Sequence, residues 1–230
     1  MSKNPFSNST YASNLTYDQL GAEGLAGITS MPRTLRTVDY LLKYIRGTDK
    51  ILDLGCGYGR VSLPLASRGL NVTGLDLNPT LLTEAQKKAS QLKDIELSFV
   101  QGSMLALPFR KQSFDLIVCL WLTFNHLLTK EDQLQALNEI YRTLSPGGMA
   151  IVEMTNGEHP STQHQLRSEG EGEDSKVLPI LIHDFIFYYY IHTTTSFQEL
   201  CHQSDFTDYN VQVTDFAYEP RLVAILARPT

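Results

Sequence analysis

The short apolar run Lys50-Ile51-Leu52-Asp53-Leu54 enters Gly55-Cys56-Gly57-Tyr58-Gly59-Arg60 without a linker, and this junction constrains the fold more than any other stretch. Glycines at alternate positions strip a turn of Cβ atoms, so chain or ligand can approach the backbone closely. Beyond the turn, Val61, Leu65 and Ala66 fit a helix packed back on the strand. The junction therefore opens a βα unit, with its bare turn at the carboxyl edge of a sheet, where open α/β sheets bind ligands.

The rest of the chain repeats that grammar. Leu35, Val38, Leu41, Leu42 and Ile45 recur at helical spacing before Gly47. Asn71 to Leu77 reads as a strand, Asn78 as an N-cap with Pro79 in the first turn, and Leu81, Leu82, Ala85, Ala89 and Leu92 as a buried helix face. Ile95 to Val100 gives a third strand, and Phe114 to Leu120 is the near-continuous apolar run of a strand covered on both faces. Thr129 and Asp132 open a helix with the stripe Leu134, Leu137, Ile140, Tyr141 and Leu144, and Pro146-Gly147-Gly148 turns into a strand at Met149 to Met154. Such alternation predicts a parallel sheet with right-handed crossovers and helices on both faces.

Outside that core the pattern changes. Asn156 to Lys176 is polar, with an acidic, Gly-rich run at Ser168 to Ser175, and is expected to be a solvated loop; a mobile lip over the site is the alternative. Ser196 to Ser204 returns to helix, and Tyr209 to Phe216 and Leu222 to Ala227 read as closing strands. A length of 230 residues suits one domain. We divide it into an N-terminal arm or lid (1–32), a core (33–154), an irregular insertion with an acceptor-side segment (155–195), and a closing helix and strands (196–230).

Composition excludes some functions. A net charge of −6 repels a polyanion, so no nucleic-acid partner is expected. Cys56, Cys119 and Cys201 form no CxxC pair and are odd in number, which argues against disulfides and a metal site. Met1 to Leu15 lacks the apolar stretch of a secretory signal, and no segment has the roughly 18 apolar residues of a membrane helix. The expectation is a cytoplasmic protein with no membrane partner; oligomeric state is left unspecified.

The glycine spacing narrows the ligand. Gly55, Gly57 and Gly59 give G-x-G-x-G with Arg60 where a dinucleotide fingerprint places its third glycine, and no G-K-[ST] follows. A ligand without phosphates that needs close backbone approach fits better. Some 20 residues on, the second strand ends in Leu75-Asp76-Leu77, where a carboxylate can accept hydrogen bonds from a ribose diol. Taken alone, Asp76 reads as a capping neighbour of Asn78; joined to the turn, it reads as the ribose ligand. Asp53 either orients the turn or faces a ligand ammonium.

Asp53-Leu54-Gly55-Cys56-Gly57-Tyr58-Gly59 resembles the first motif of class I S-adenosylmethionine-dependent methyltransferases, and Gly74-Leu75-Asp76-Leu77-Asn78-Pro79 resembles their acidic second-strand motif. Leu107-Pro108-Phe109 with Phe114-Asp115-Leu116-Ile117, and Leu144-Ser145-Pro146-Gly147-Gly148, are similar to later segments of the family. The resemblance covers roughly 33–154. It implies a Rossmann-like, seven-stranded, mostly parallel sheet with its last strand antiparallel. It further implies cofactor contacts at Asp53, Gly55, Cys56, Gly57, Gly59, Asp76 and Leu77, and near Leu120. Where the family often places an acidic residue by the adenine, this chain has Gly102-Ser103-Met104, so Ser103 and Met104 take that position. The glycine often found before the sixth strand is absent, Asp205-Phe206 standing there.

The cofactor so implied is S-adenosylmethionine, with S-adenosylhomocysteine as product and a small-molecule acceptor methylated on N or O. Methyl transfer by in-line displacement asks a protein chiefly to align the partners and exclude water. Two histidines are candidates for handling the acceptor's proton. His126 lies in Cys119 to Leu127, after the fourth strand, and reads equally well as a local capping histidine. His183 opens the aromatic run His183 to His192, where alternation puts His183, Phe185, Phe187 and Tyr189 on one face. Trp121 either borders the cofactor or sits in the core, and Tyr11 and Tyr17 belong to an arm that either closes over the site or stays exposed. An enzyme acting on RNA or protein, and a cofactor binder without turnover, are the competing readings.

Overall fold

The computed structural model describes residues 9–28, 30–170, 176–216 and 219–230. In chain order the elements are α1 (Ser9–Ile28), α2 (Met31–Leu41), β1 (Lys50–Leu54), α3 (Ser62–Ala66), β2 (Asn71–Asp76), α4 (Pro79–Ala89), β3 (Leu97–Gln101) and β4 (Phe114–Cys119). They continue with α5 (Lys130–Thr143), β5 (Leu144–Met154), α6 (Pro160–Glu169), β6 (Val177–Ile182), β7 (Phe185–Tyr190), α7 (Thr194–Cys201), β8 (Asp208–Phe216) and β9 (Glu219–Ala227).

Seven strands form one sheet in the order β3-β2-β1-β4-β5-β9-β8. The first five run parallel, whereas β9 is antiparallel to both β5 and β8. Strand order reverses between β1 and β4, the switch point at which such sheets leave a crevice at their carboxyl edge. Alternating side chains feed two cores. Leu52, Leu54, Ile117, Cys119 and Val152 pack with Leu137 and Ile140 of α5 and Phe197 of α7. Ile51, Leu116, Val118 and Ile151 pack on the other face with Val38 and Leu41 of α2 and Leu65 of α3. Each fully buried Leu or Ile contributes about 1.5–3 kcal/mol, so the strands beneath the switch point form a rigid floor.

The helix starts follow local chemistry. Asn78 Oδ1 accepts the Leu81 N–H at 2.8 Å with Pro79 in the first turn, and Thr129 Oγ1 accepts the Asp132 N–H at 3.2 Å. Thr193 and Ser196 form a reciprocal capping box at α7.

One expectation is corrected and two open readings are narrowed. The segment expected as a solvated loop contains α6, started by Pro160 behind a His159 ring nitrogen that accepts the Ser161 N–H; only Thr162 of this helix is buried, so no apolar stripe announced it. Residues 171–175 of its acidic run lie outside the described residues. The N-terminal arm is not simply exposed: α1, broken at Gly21 (φ 65°), packs on α4 and β7, and Tyr17 and Leu20 join a small core with Leu178, Phe187 and Tyr189. The side chain of Tyr11 lies outside the described residues. The aromatic run is half of a β6–β7 hairpin that stands apart from the main sheet. Among the described residues no helix is long and apolar enough to cross a membrane, and no cluster of His, Cys, Asp or Glu is suited to a metal ion.

Candidate functional site

A cavity of about 320 Å³ opens at the switch point, floored by the turn after β1 and the ends of β2 and β4 and roofed by α1 and the β6–β7 hairpin. Gly55, Gly57 and Gly59 have φ of 72°, 54° and 81°, a region that side chains make costly by about 1–2 kcal/mol. Their surroundings separate their roles. A Cβ on Gly55 would meet Thr123 Cγ2 at 2.3 Å, whereas one on Gly57 would meet nothing closer than Leu81 Cδ1 at 4.0 Å. Gly55 thus permits tight packing on the turn after β4, while Gly57 presents bare backbone to the cavity.

Asp76 ties this turn to α4. Its Oδ2 accepts the Gly57 N–H and its Oδ1 the Asn78 N–H, each at 2.8 Å. Burial raises its pKa, and bonds from the Asn78, Gly57 and Leu77 N–H groups oppose the rise. A carboxylate offers about four lone-pair sites, so acceptor capacity remains on the side that lines the cavity. Asp76 is therefore the capping neighbour of Asn78 and at the same time lines the cavity.

Of the other candidates, Cys56, Leu77, Ser103 and Met104 line the cavity. Ser103 Oγ accepts the Leu105 N–H at 3.2 Å, so the hydroxyl fixes its own turn. Asp53, Gly59 and Leu120 stand beneath the turn instead of on its surface. Asp53 is 3% exposed and accepts Ser62 Oγ–H at 2.6 Å. Burial holds its carboxyl up to about 6, against the pull of that hydrogen bond. It orients the start of α3 and does not line the cavity. Gly59 backs on Leu63 and Phe99, and the Leu120 carbonyl accepts Thr123 Oγ1–H at 2.7 Å.

His126 closes the 3₁₀ turn Thr123–His126 and lines the cavity, with Tyr17 Oη at 2.8 Å from its Nε2. Burial pushes its imidazole down to about 4, so the ring is neutral at physiological pH. Burial also pushes the Tyr17 phenol up, with the Tyr189 hydroxyl adding to the shift. His183 is corrected: it sits in the turn between β6 and β7 at φ 52°, is exposed, and does not line the cavity.

Sequence reasoning missed a charged corner. Glu153 of β5 is 3% exposed, accepts the backbone N–H groups of Trp121 and Leu122, and lies 3.3 Å from Arg221 Nε. Trp121 and Leu122 both have positive φ, 56° and 61°, so Glu153 holds a strained corner in place. The guanidiniums of Arg33 and Arg60 stack on the Trp121 ring at 4.7 and 4.1 Å, and burial lowers Arg60 to about 10, still charged. The available signal was Glu153 itself, a carboxylate inside the apolar run Ala150 to Met154.

Comparison with known proteins meets this geometry. Residues 51–148 match the methyltransferase domain family. The Bacillus subtilis protein YqeM, named as a methyltransferase, is 35% identical over 105 residues, which are 46% of this chain and 42% of that one. A demethylmenaquinone methyltransferase of Thermus thermophilus is 36% identical over 119 residues, 51% of each chain. The chain thus spans about half the length of the curated relatives it matches. A glycopeptide N-methyltransferase solved with S-adenosylhomocysteine superposes with a TM-score of 0.68 over 90% of this chain and 97% of its own, at 18% identity, a likeness of fold.

Proposed function

We propose, for a chain whose residues 51–148 carry a class I S-adenosylmethionine-dependent methyltransferase domain, that it transfers the cofactor's methyl group to a small-molecule acceptor on N or O. The observation that carries this reading is the convergence of the bare Gly57 backbone and the Asp76 carboxylate on one cavity wall. A cofactor without phosphates but with a ribose diol fits that wall: Asp76 supplies acceptors for hydroxyls, and the space a Cβ would enter at Gly57 is open. Asp76, Leu77, Ser103 and Met104 would hold the nucleoside, and the Gly55–Gly57 turn the amino-acid end. When bound, the cofactor supplies a methyl group made electrophilic by its sulfonium. The relatives named as demethylmenaquinone methyltransferases support a small-molecule acceptor.

The chain's own residues align and desolvate. α1 and the hairpin roof the cavity against water, which strengthens every polar interaction inside it. Glu153 fixes the Trp121–Leu122 corner at the rim. His126, kept neutral, is the group able to take a proton there, and Tyr17 is its hydrogen-bond partner.

Calorimetric titration with S-adenosylmethionine and S-adenosylhomocysteine tests the proposal. Binding is expected for the native chain and lost in Asp76→Ala and in Gly57→Val, which points a side chain into the cavity. Undiminished binding in both variants overturns it.

A further inference from the structure

One corner of the cavity is rich in guanidinium groups. Arg33, Arg60 and Arg221 line it together with Trp121 and Glu153. Arg33 and Arg221 converge on one carboxylate oxygen: Glu219 Oε2 lies 3.0 Å from Arg33 Nη2 and also accepts from Arg221 Nη2. Glu219 is itself half-exposed and does not line the cavity. The other donors of the two arginines are poorly met. Both Nε atoms are buried without a hydrogen-bond partner; that of Arg221 lies 3.3 Å from Glu153 Oε1, at ion-pair distance but outside hydrogen-bond geometry. Neither guanidinium has a further hydrogen-bond partner among the described residues. Buried donors are ordinarily paired, so this corner has unmet demand for oxygen acceptors.

Charge and position say what would meet it. Three guanidiniums stand against two carboxylates, Glu153 and Glu219, which leaves one positive charge, and solvent screens the half-exposed Glu219 more than the buried Glu153. The amino-acid end of S-adenosylmethionine is a zwitterion and leaves that excess unchanged, while the sulfonium adds to it. In the sheet order, β1, β4 and β5 separate β2, which ends in Asp76, from β9, which carries Arg221. That is about 19 Å across the sheet. From a ribose at Asp76 the cofactor's chain to its own carboxylate spans about 9 Å and falls short of β9. The corner therefore calls for a second anion, carrying a single charge.

We propose that Arg33 and Arg221 form a carboxylate subsite of the cavity, and that the methyl acceptor is a small molecule bearing one carboxylate held there, with its N or O nucleophile turned toward the cofactor. This rests on the methyltransferase reading of the site. A guanidinium suits the task because its planar fork meets both oxygens of a carboxylate and keeps its charge at any pH of interest. Arg60, stacked on Trp121 beside Arg33, adds to the positive field of the corner. Glu153 holds the Trp121–Leu122 backbone and stands near Arg221, so the pocket wall is fixed before the ligand enters.

The test uses one ring with three head groups. Protein saturated with S-adenosylhomocysteine is titrated with benzoate, benzamide and benzylamine at about pH 7.5, where the first is an anion and the last a cation, with saturation-transfer NMR as the readout. Benzoate is expected to bind about tenfold or more tighter than benzamide, with benzylamine weakest. Arg33→Gln should remove the benzoate preference while benzamide and S-adenosylhomocysteine still bind. Arg221→Lys, which keeps a charge beside Glu153 but loses the fork, should shrink it. A parallel titration replaces S-adenosylhomocysteine with 5′-methylthioadenosine, which lacks the amino-acid end, and equal benzoate binding in the two complexes is expected. Benzoate binding only in the methylthioadenosine complex would give the corner to the cofactor's own carboxylate and overturn the proposal. So would benzamide or benzylamine binding as tightly as benzoate, a benzoate preference that survives both variants, or no binding by any probe. The native panel decides the question even should the variants fold poorly. Failure of both nucleosides to bind would instead remove the methyltransferase reading, whereas saturation without a benzoate preference removes this subsite alone.

Discussion

Asp53 offers a stability test with a worked sign. The carboxyl is buried on the floor of the turn, hydrogen-bonded by Ser62 Oγ at 2.6 Å, and held at about 6 against an ordinary value of 3.8. Below pH 3.8 both folded and unfolded chains keep this proton. As pH rises through about 4 to 6 the unfolded chain releases it first, so stability is lost across that window and stays lost above it. About two pH units at 1.36 kcal/mol each make the loss about 3 kcal/mol. Asp53→Asn keeps an oxygen for Ser62 and has no proton to lose. Urea unfolding of both proteins should therefore show Asp53→Asn gaining on the native chain by about 2–3 kcal/mol between pH 4 and 7. Other carboxylates cancel in the difference. A difference that stays flat with pH, or moves against the variant as pH rises, refutes the argument. Retention of S-adenosylhomocysteine binding in the same variant is expected too, because Asp53 does not line the cavity.

Two further predictions concern buried charge. Glu153→Ala leaves Arg221 without its buried partner and releases the strained Trp121–Leu122 backbone, so a loss of about 3–5 kcal/mol is expected in chemical denaturation; a loss under about 1 kcal/mol would mean the pair is not the support described. His126 and His192 are pushed down by burial to about 4 and about 3, so both folded rings stay neutral through pH 5. Their contribution to stability is present above 6.5 and is lost as pH falls toward those values, and imidazole NMR shifts that titrate near 6.5 would contradict this burial.

Local signals were legible and distant pairings were not. The turn at Gly55 to Gly59, Asp76 at the second strand's end and the cap at Asn78 all declare themselves within a few residues, and the structure places the turn and Asp76 on one wall. The closing β8–β9 pair was readable from its apolar runs. Three failures share one cause, a reliance on periodicity. α6 buries only Thr162, so it has no stripe to read. His183 fits the alternation of β7, but the hairpin needs a reversal between Ile182 and Phe185, and that reversal takes the side chain out to solvent. α1 gains its place from single contacts, Tyr17 on His126 and Asp18 Oδ1 accepting from Asn78 Nδ2 at 2.9 Å, neither of which makes a pattern in sequence. The corner of Glu153, Arg221, Arg33 and Trp121 assembles residues far apart in the chain, and only the unexpected carboxylate in β5 hinted at it.

The central claim is that the Gly57 backbone and Asp76 together grip the cofactor, Asp76 at its ribose and Gly57 beside it, and a crystal structure grown with S-adenosylhomocysteine tests it most directly. The account predicts the ribose hydroxyls within hydrogen-bond distance of the Asp76 carboxylate and the ligand resting against Gly57. An adenosine bound elsewhere, with Asp76 facing only protein and the turn covered by the chain's own side chains, would contradict it.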